Sequence, residues 1–385
     1  MKFSRTIKVA ACLAIFGAAA VVQPAFAGGV TITGDGSSFA KPLIDSCKVA
    51  WQSATGNTLG SYPGGGSGTG RKNADAGIGD FNFSDATYTP AKSSIIHIPV
   101  VAAPIAIAYN LGTLTQKQLY LSQKTLSDIF AGKVTMWNDP EITADNNGPA
   151  TKIIYKLDSN GNPVKDASGK PVVLNTYKVT RHFTLPAVRI NIVVRSDSSG
   201  TTQNLVHFFK TQFPDTWTKA ENSTFSNNFP GDINGTGNLG RIQSAKGSSL
   251  VAAQVKRTRY SIGYMEASYA TKNGLGVAAI QNKAGNFQGP DAAGTAAFLS
   301  AATASADGKL TFDYNTADSG AYVLGIVSYA LVDSGATGDK AKAAKSFLQY
   351  ILDPKCPTTD ATLGYTTITG NLLAIDNKLI ASLKA

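Results

Sequence analysis

The chain is poor in the residues that carry most metal and nucleophilic chemistry. It has three histidines, His97, His182 and His207, and three cysteines, Cys12, Cys47 and Cys356, among 385 residues. The histidines are far apart in sequence and no Cys/His spacing suits zinc, so no metal site is expected. Charged residues make up 16% of the chain, and its Lys and Arg are scattered. Without a basic stripe interleaved with aromatics, nucleic acid is not an expected partner. Beyond the N-terminus no run reaches the roughly 18 uninterrupted apolar residues of a spanning helix. The best, Ile95 to Tyr109, is broken by Pro99 and Pro104. Cofactor signatures are missing as well. Gly65 and Gly70 are spaced as in a nucleotide P-loop, but Arg71-Lys72 stand where Lys and then Ser/Thr would hold phosphate and magnesium. There is no G-x-S-x-G elbow and no sustained internal repeat.

What is present begins with a leader. Lys2, Arg5 and Lys8 precede an apolar stretch from Val9 to Val22, and Ala25-Phe26-Ala27 offers small residues at the cleavage positions. This reads as a secretory signal peptide over residues 1–27, cut near Ala27. A lipoprotein reading through Val9-Ala10-Ala11-Cys12 competes, but Lys8 leaves no apolar segment ahead of that cysteine. Removing residues 1–27 takes three of the 35 basic residues and none of the 25 acidic ones, so a net charge of +10 becomes +7 on 358 residues. Such a field implies solubility and mild anion steering. Cys47 and Cys356 remain, in an oxidising compartment where thiols tend to pair. Cys47 also fits an apolar stripe with Phe39, Leu43 and Trp51, so a disulfide and a buried free thiol both stay open.

A chain of this length suggests two domains. Short β-branched runs (Val30–Thr33, Ile95–Val101, Ile105–Tyr109, Ile190–Val194, Tyr322–Val332) alternate with amphipathic stretches near 39–54, 125–131, 203–212, 249–257 and 340–352. That alternation predicts an α/β fold. Residues 151–180 carry turn signals at Asn160-Gly161-Asn162-Pro163 and Ser168-Gly169-Lys170-Pro171 and read as an inserted, Lys-rich hairpin, either solvated decoration or a partner-binding arm.

Three turns each join a strand or loop to a helix start. Arg195-Ser-Asp-Ser-Ser199-Gly200-Thr201-Thr202 follows the Ile190–Val194 run. Gly34-Asp35-Gly36-Ser37-Ser38-Phe39 follows the first strand. Gly64-Gly65-Gly66-Ser67-Gly68-Thr69-Gly70 precedes Arg71. A hydroxyl-rich, Gly-bearing turn at a helix start aims free N–H groups and the positive dipole end at one point, a place for an oxyanion. Taken alone, each also reads as an ordinary N-cap. Phe81-Asn82-Phe83-Ser84-Asp85 adds a carboxylate after an apolar alternation.

The ordered blocks GDGSSF, GGSGTG, FNFSDA, KTLSDIFAGKVTMWNDPEI (124–142), VVRSDSSGTT and YSIGYMEASYA (260–270) resemble the phosphate-binding proteins that feed bacterial Pst-type ABC importers. The resemblance covers most of residues 30–275. Residues 276–385 match only in general character, and 151–185 do not match. It implies a two-lobed periplasmic-binding-protein (type 2) fold with a ligand cleft between the lobes. Lobe I would hold residues 28–110 plus about 300–385, and lobe II residues 111–299 with the hairpin.

The resemblance also implies inorganic phosphate as ligand, an inner-membrane permease as partner, a monomer, a periplasmic or cell-surface location, no cofactor and no enzymatic activity. Its phosphate contacts map onto Ser38, Phe39, Ser67 and Asp85 from one lobe, and Arg195, Ser199, Gly200 and Thr201 from the other. Asp197 would orient Arg195. Asp85 would accept the ligand's O–H, which hydrogen phosphate has and sulfate lacks. Ser38 stands where the family usually has Thr, keeping the hydroxyl. Asp35 places a charge in a turn normally neutral, with Arg71 and Lys72 near enough in sequence to offset it. Two other classes stay open: a secreted phosphomonoesterase with Ser67 or Ser199 as nucleophile, and a surface-displayed or adhesive relative whose hairpin keeps it off an importer.

Overall fold

The computed structural model describes residues 29–159, 163–167, 170–353, 356 and 364–385. The leader and the Cys12 motif, and most of the two turn motifs at 160–163 and 168–171, lie outside them.

The chain opens with β1 (Thr31–Gly36), α1 (Lys41–Thr55), β2 (Thr58–Ser61), α2 (Ser67–Ala76), β3 (Phe81–Ser84) and the sixteen-residue β4 (Ile95–Asn110). In α1 the expected stripe is the buried face: Leu43, Cys47 and Trp51 are fully buried, with Phe39 ahead of them. Pro42 sits in its first turn, where a missing N–H leaves no helical bond unmade. Next come β5 (Asn147–Tyr155), β6 (Val173–His182), β7 (Asn191–Arg195), α3 (Gly200–Gln212), β8 (Ile242–Ala245), α4 (Gly247–Arg257) and β9 (Ser261–Glu266). The last part holds β10 (Gly276–Val277), α5 (Ala292–Leu299), β11 (Gly325–Asp333), α6 (Asp339–Leu352) and α7 (Gly370–Ala381).

A nine-stranded mixed sheet runs β2-β1-β3-β11-β4-β9-β7-β8, with β10 also on β4. β4 is its spine. Residues Ile95–Pro104 pair antiparallel with β11, and Ile105–Asn110 pair antiparallel with β9. The prolines that seemed to divide this run in two do not interrupt it. Pro99 lies where the register with β11 shifts, and Pro104 lies where β4 changes partner, so neither removes a ladder bond that the strand needs. Because β4 is covered on both faces, it is buried and apolar along nearly its whole length rather than alternating, with His97 and the terminal Asn110 as its polar residues.

β1, β3, β7 and β9 all end at the middle of this sheet, where loops lead into α1 and α3; helix starts therefore converge there. Cys47 on α1 is joined to Cys356 beyond α6, with their Cα atoms 5.3 Å apart. β5 and β6 form a separate antiparallel hairpin. Its base is clamped by Arg181, whose guanidinium lies 4.5 Å from the Phe287 ring centre and donates to the Gly148 and Pro149 carbonyls. Its distal part folds back on the body, with Lys170 on Asp318 at 3.0 Å. Among the described residues no helix is long and apolar enough to cross a membrane, and no group of His, Cys, Asp and Glu has the placement to hold a metal ion.

Candidate functional site

The central feature of the site is a buried carboxylate. Asp85, at the end of β3, is 3% exposed. It accepts hydrogen bonds from the hydroxyls of Ser37, Ser328 (2.8 Å) and Ser67 (3.1 Å), and its own N–H donates to Ser67 Oγ at 3.1 Å. Burial pushes its carboxyl above the ordinary range. The Ser37 and Ser328 hydroxyls, the charge of Arg195 and the Ser67 hydroxyl pull it back. Oδ1 takes two of these bonds and Oδ2 one, so Oδ2 retains acceptor capacity.

The glycine loop before α2 is held in place by Asp35. Its Oδ1 accepts from the N–H groups of Gly36 (2.7 Å) and Gly65 (2.8 Å), while Gly66 N–H donates to the Gly36 carbonyl at 2.7 Å. Asp35 is thus a tie between β1 and the loop, with backbone donors offsetting its charge. Arg71 turns the other way. It donates to Gln203 Oε1 at 3.0 Å and to Ser198 Oγ at 3.4 Å, bridging α2 to the α3 segment.

Opposite Asp85 stands the α3 turn. Ser199 caps the helix, its hydroxyl accepting from Thr202 N–H at 3.1 Å, which leaves its own proton to donate. Gly200 and Thr201 are the first two helical residues, whose N–H groups have no partner within the helix. Thr201 Oγ1 is buried with no hydrogen-bond partner among the described residues. Gly200 allows the close approach: a Cβ there would lie 2.6 Å from Ser67 Oγ and 2.9 Å from the Asp85 Cβ. Arg195, also 3% exposed, is held by Asp197 through Nε (2.7 Å) and Nη2, and Nη1 reaches Ser248 Oγ at 3.4 Å. Burial alone would raise Asp197, but Arg195 and the Gly247 N–H hold it below the usual carboxylate range.

The sequence-derived residues therefore come together. Ser67 touches Asp85, and Gly200 abuts both. The Ser38 hydroxyl accepts from Ser248 N–H at the start of α4, at 3.3 Å. Phe39 follows Ser38 in the same turn, and its ring is buried in the core against Tyr365. The two groups of segments are bonded across the cleft. Gly68 N–H donates to the Ser198 carbonyl at 3.0 Å, and Asn204 Nδ2 donates to the Asp85 carbonyl at 2.6 Å.

Sequence reasoning missed Ser37, Ser328, Ser248 and Tyr264. Tyr264 accepts from Arg195 N–H at 3.2 Å and meets Thr202 Oγ1 at 2.6 Å. Ser328 carried a usable signal, being the one serine inside the largely apolar Tyr322–Val332 run, a position that needs a polar partner.

A cleft lined by several neutral donors, one guanidinium and one acceptor suits a small oxyanion that keeps a proton. Residues 22–355 match the family model of the PBP superfamily domain. The phosphate-binding protein PstS of Xylella fastidiosa (strain Temecula1) is 30% identical over 88% of this chain and 76% of its own length. PstS of Methanocaldococcus jannaschii is 29% identical over 84% and 78%. Among solved structures, the phosphate-bound periplasmic phosphate-binding protein PfluDING superposes with a TM-score of 0.64 at 18% identity, covering 92% of this chain and 94% of that one. A phosphate-binding protein from Stenotrophomonas maltophilia gives 0.58 at 17%, over 91% and 93%. These likenesses carry the fold, an α/β periplasmic-binding-protein type 2 architecture with its cleft between two lobes. The chain belongs to the PBP superfamily and, within it, to the family of the PstS phosphate-binding proteins.

Proposed function

We propose that this protein captures hydrogen phosphate in the cleft and delivers it to the permease of an ABC importer, after export and removal of residues 1–27. Lobe I is residues 28–110 with about 300–385, and lobe II is 111–299. Ser38, Phe39 and Ser67 on the first lobe, with Arg195, Ser199, Gly200 and Thr201 on the second, donate to the anion, and Asp85 accepts its proton. Asp197 aims Arg195.

The observation that carries this reading is Asp85 itself: a buried carboxylate facing a helix start and a guanidinium, with one oxygen left free to accept. A dianion without a proton would meet it as a like charge, whereas hydrogen phosphate meets it as a donor. Burial of the whole set means that the cross-cleft bonds from Gly68, Arg71 and Asn204 open to admit the ligand and re-form over it, a hinge motion without chemistry. Hydrolysis would require a base activating a serine; Ser199 is engaged as a helix cap, and Asp85, the one base beside Ser67, is engaged by the ligand's own O–H.

Calorimetric titration of the purified mature chain with phosphate and then sulfate, from pH 5 to 9, tests the reading. Saturable binding of phosphate with sulfate excluded is expected, together with no turnover of a chromogenic phosphate ester. Silence with both anions would overturn it.

A further inference from the structure

A second concavity, of about 670 Å3, lies away from the cleft. It is bounded by α5, the segment Ala302–Ala304 after it, and the Thr366–Ile375 stretch that leads into α7. Its walls are apolar at Ala296, Leu299, Leu372 and Ile375. One charged group enters it, the Lys165 ammonium from the distal part of the β5–β6 hairpin. Nζ reaches only neutral oxygens, and loosely: Thr367 O at 3.3 Å, and Thr366 Oγ1 and Thr369 Oγ1 at 3.4 Å each. All three distances exceed the usual range for N–H···O bonds.

Among the described residues no carboxylate pairs with this amine. Burial alone holds it down, to about 8, with no opposing charge. Half-burying a cation without a counter-charge is unfavourable. Here the cation also stands beside the first turn of α7, whose dipole has the same sign and whose N-cap Thr369 makes no side-chain capping bond. The electrostatics of this corner lack one negative charge, and the cavity provides apolar room behind the place where it would sit. The volume lies within the range of small-molecule sites.

We infer that this cavity is a second ligand site that takes an amphiphilic monocarboxylate, its head on the Lys165 ammonium with the Thr366 and Thr369 hydroxyls and its alkyl chain against Leu299, Leu372 and Ile375. A single ammonium matches a monoanion better than a dianionic phosphate, and the apolar wall favours a tail over a small inorganic ion. The occupied site would pin the hairpin to the segment that starts α7.

The test is titration of decanoate, below its micellar range, into the full mature chain in excess phosphate, so that the cleft is already occupied. One saturable equivalent is expected. Lys165→Met is expected to weaken binding at least tenfold, and so is Ala302→Trp, which fills the cavity from a partly exposed position. 1-Decanol, with the same tail and no charge, is expected to bind at least tenfold less well than decanoate. Neither variant should lower the melting temperature, and both should keep the cleft affinity for phosphate, which separates this site from the one above. Non-saturating uptake, decanol binding as tightly as decanoate, or unchanged affinity in Lys165→Met would each overturn the inference.

Discussion

Replacing Asp85 by Asn is the sharpest perturbation of the cleft, because it removes one charge and preserves shape. The serine hydroxyls of Ser37, Ser67 and Ser328 rotate freely and can either accept from the new amide or donate to its oxygen, so the fold should survive. The magnitude follows from the two ways wild type can accommodate sulfate. Facing the doubly charged sulfate at roughly 4 Å costs about 8 kcal/mol at an effective dielectric of about 20. Protonating Asp85 first costs about 1.4 kcal/mol for each unit that the pH exceeds its pKa. Since burial has already moved that pKa up from 3.8, the second route costs at most about 4 kcal/mol at pH 7 and less as the pH falls. Asp85 therefore supplies at most roughly a thousandfold preference for phosphate over sulfate at pH 7, shrinking towards pH 5. Asp85→Asn should lose about 1.5–3 kcal/mol of phosphate affinity, the worth of one charge-assisted hydrogen bond, and should lose most of the discrimination. Competition titrations of phosphate against sulfate at pH 5, 6, 7 and 8 read both quantities. Discrimination that is equally strong in the Asn variant, or that does not change with pH in wild type, would refute the assignment of Asp85 as the proton acceptor.

Thr201→Val should weaken phosphate binding by about 1 kcal/mol while leaving the melting temperature unchanged or slightly raised, because the hydroxyl has no partner to lose among the described residues; calorimetry and thermal melts separate the two. The double change Cys47→Ser with Cys356→Ser opens a link across 309 residues and should lower stability by about 2–5 kcal/mol, read as an earlier urea midpoint that dithiothreitol no longer shifts. Asp376 on α7 is buried with both carboxyl oxygens unpartnered among the described residues, and burial pushes it up to about 8. Its folded pKa exceeds the unfolded value of about 3.9, so the native state binds the extra proton between about pH 4 and 8, and stability falls as pH rises through that window. Asp376→Asn should flatten this slope and add on the order of a few kcal/mol near pH 8, measured as urea midpoints at pH 5 and pH 8; parallel slopes would show that the carboxyl ionises in the native state as readily as in the unfolded chain.

Much of the fold was legible from local pattern. The stripe Phe39, Leu43, Cys47, Trp51 predicted the buried face of α1, and the turn Arg195–Thr202 predicted a helix start, which the structure caps with Ser199. Such features depend on neighbours a few residues apart, and period and capping chemistry act at that range. The prolines in β4 were misleading for the same reason. Pro99 and Pro104 look like breaks until β11 and β9 show that one lies at a register shift and the other at a change of partner. The hydroxyl cage of Asp85 was less visible, because Ser37, Ser67 and Ser328 come from three places as much as 291 residues apart and only the sheet order brings them together.

The sequence by itself determined which turns expose helix N-termini, which side chains near them are donors, and that the carboxylates of Asp35, Asp85 and Asp197 accompany them. These are properties of residue type and short spacing. Tertiary structure alone decided that Asp35 ties down the glycine loop, that Arg71 crosses to Ser198 and Gln203, that Cys47 meets Cys356, and that the half-buried Lys165 has no counter-charge among the described residues. Each of these depends on which distant segment fills the space opposite, and that is set by strand pairing and packing across the whole chain.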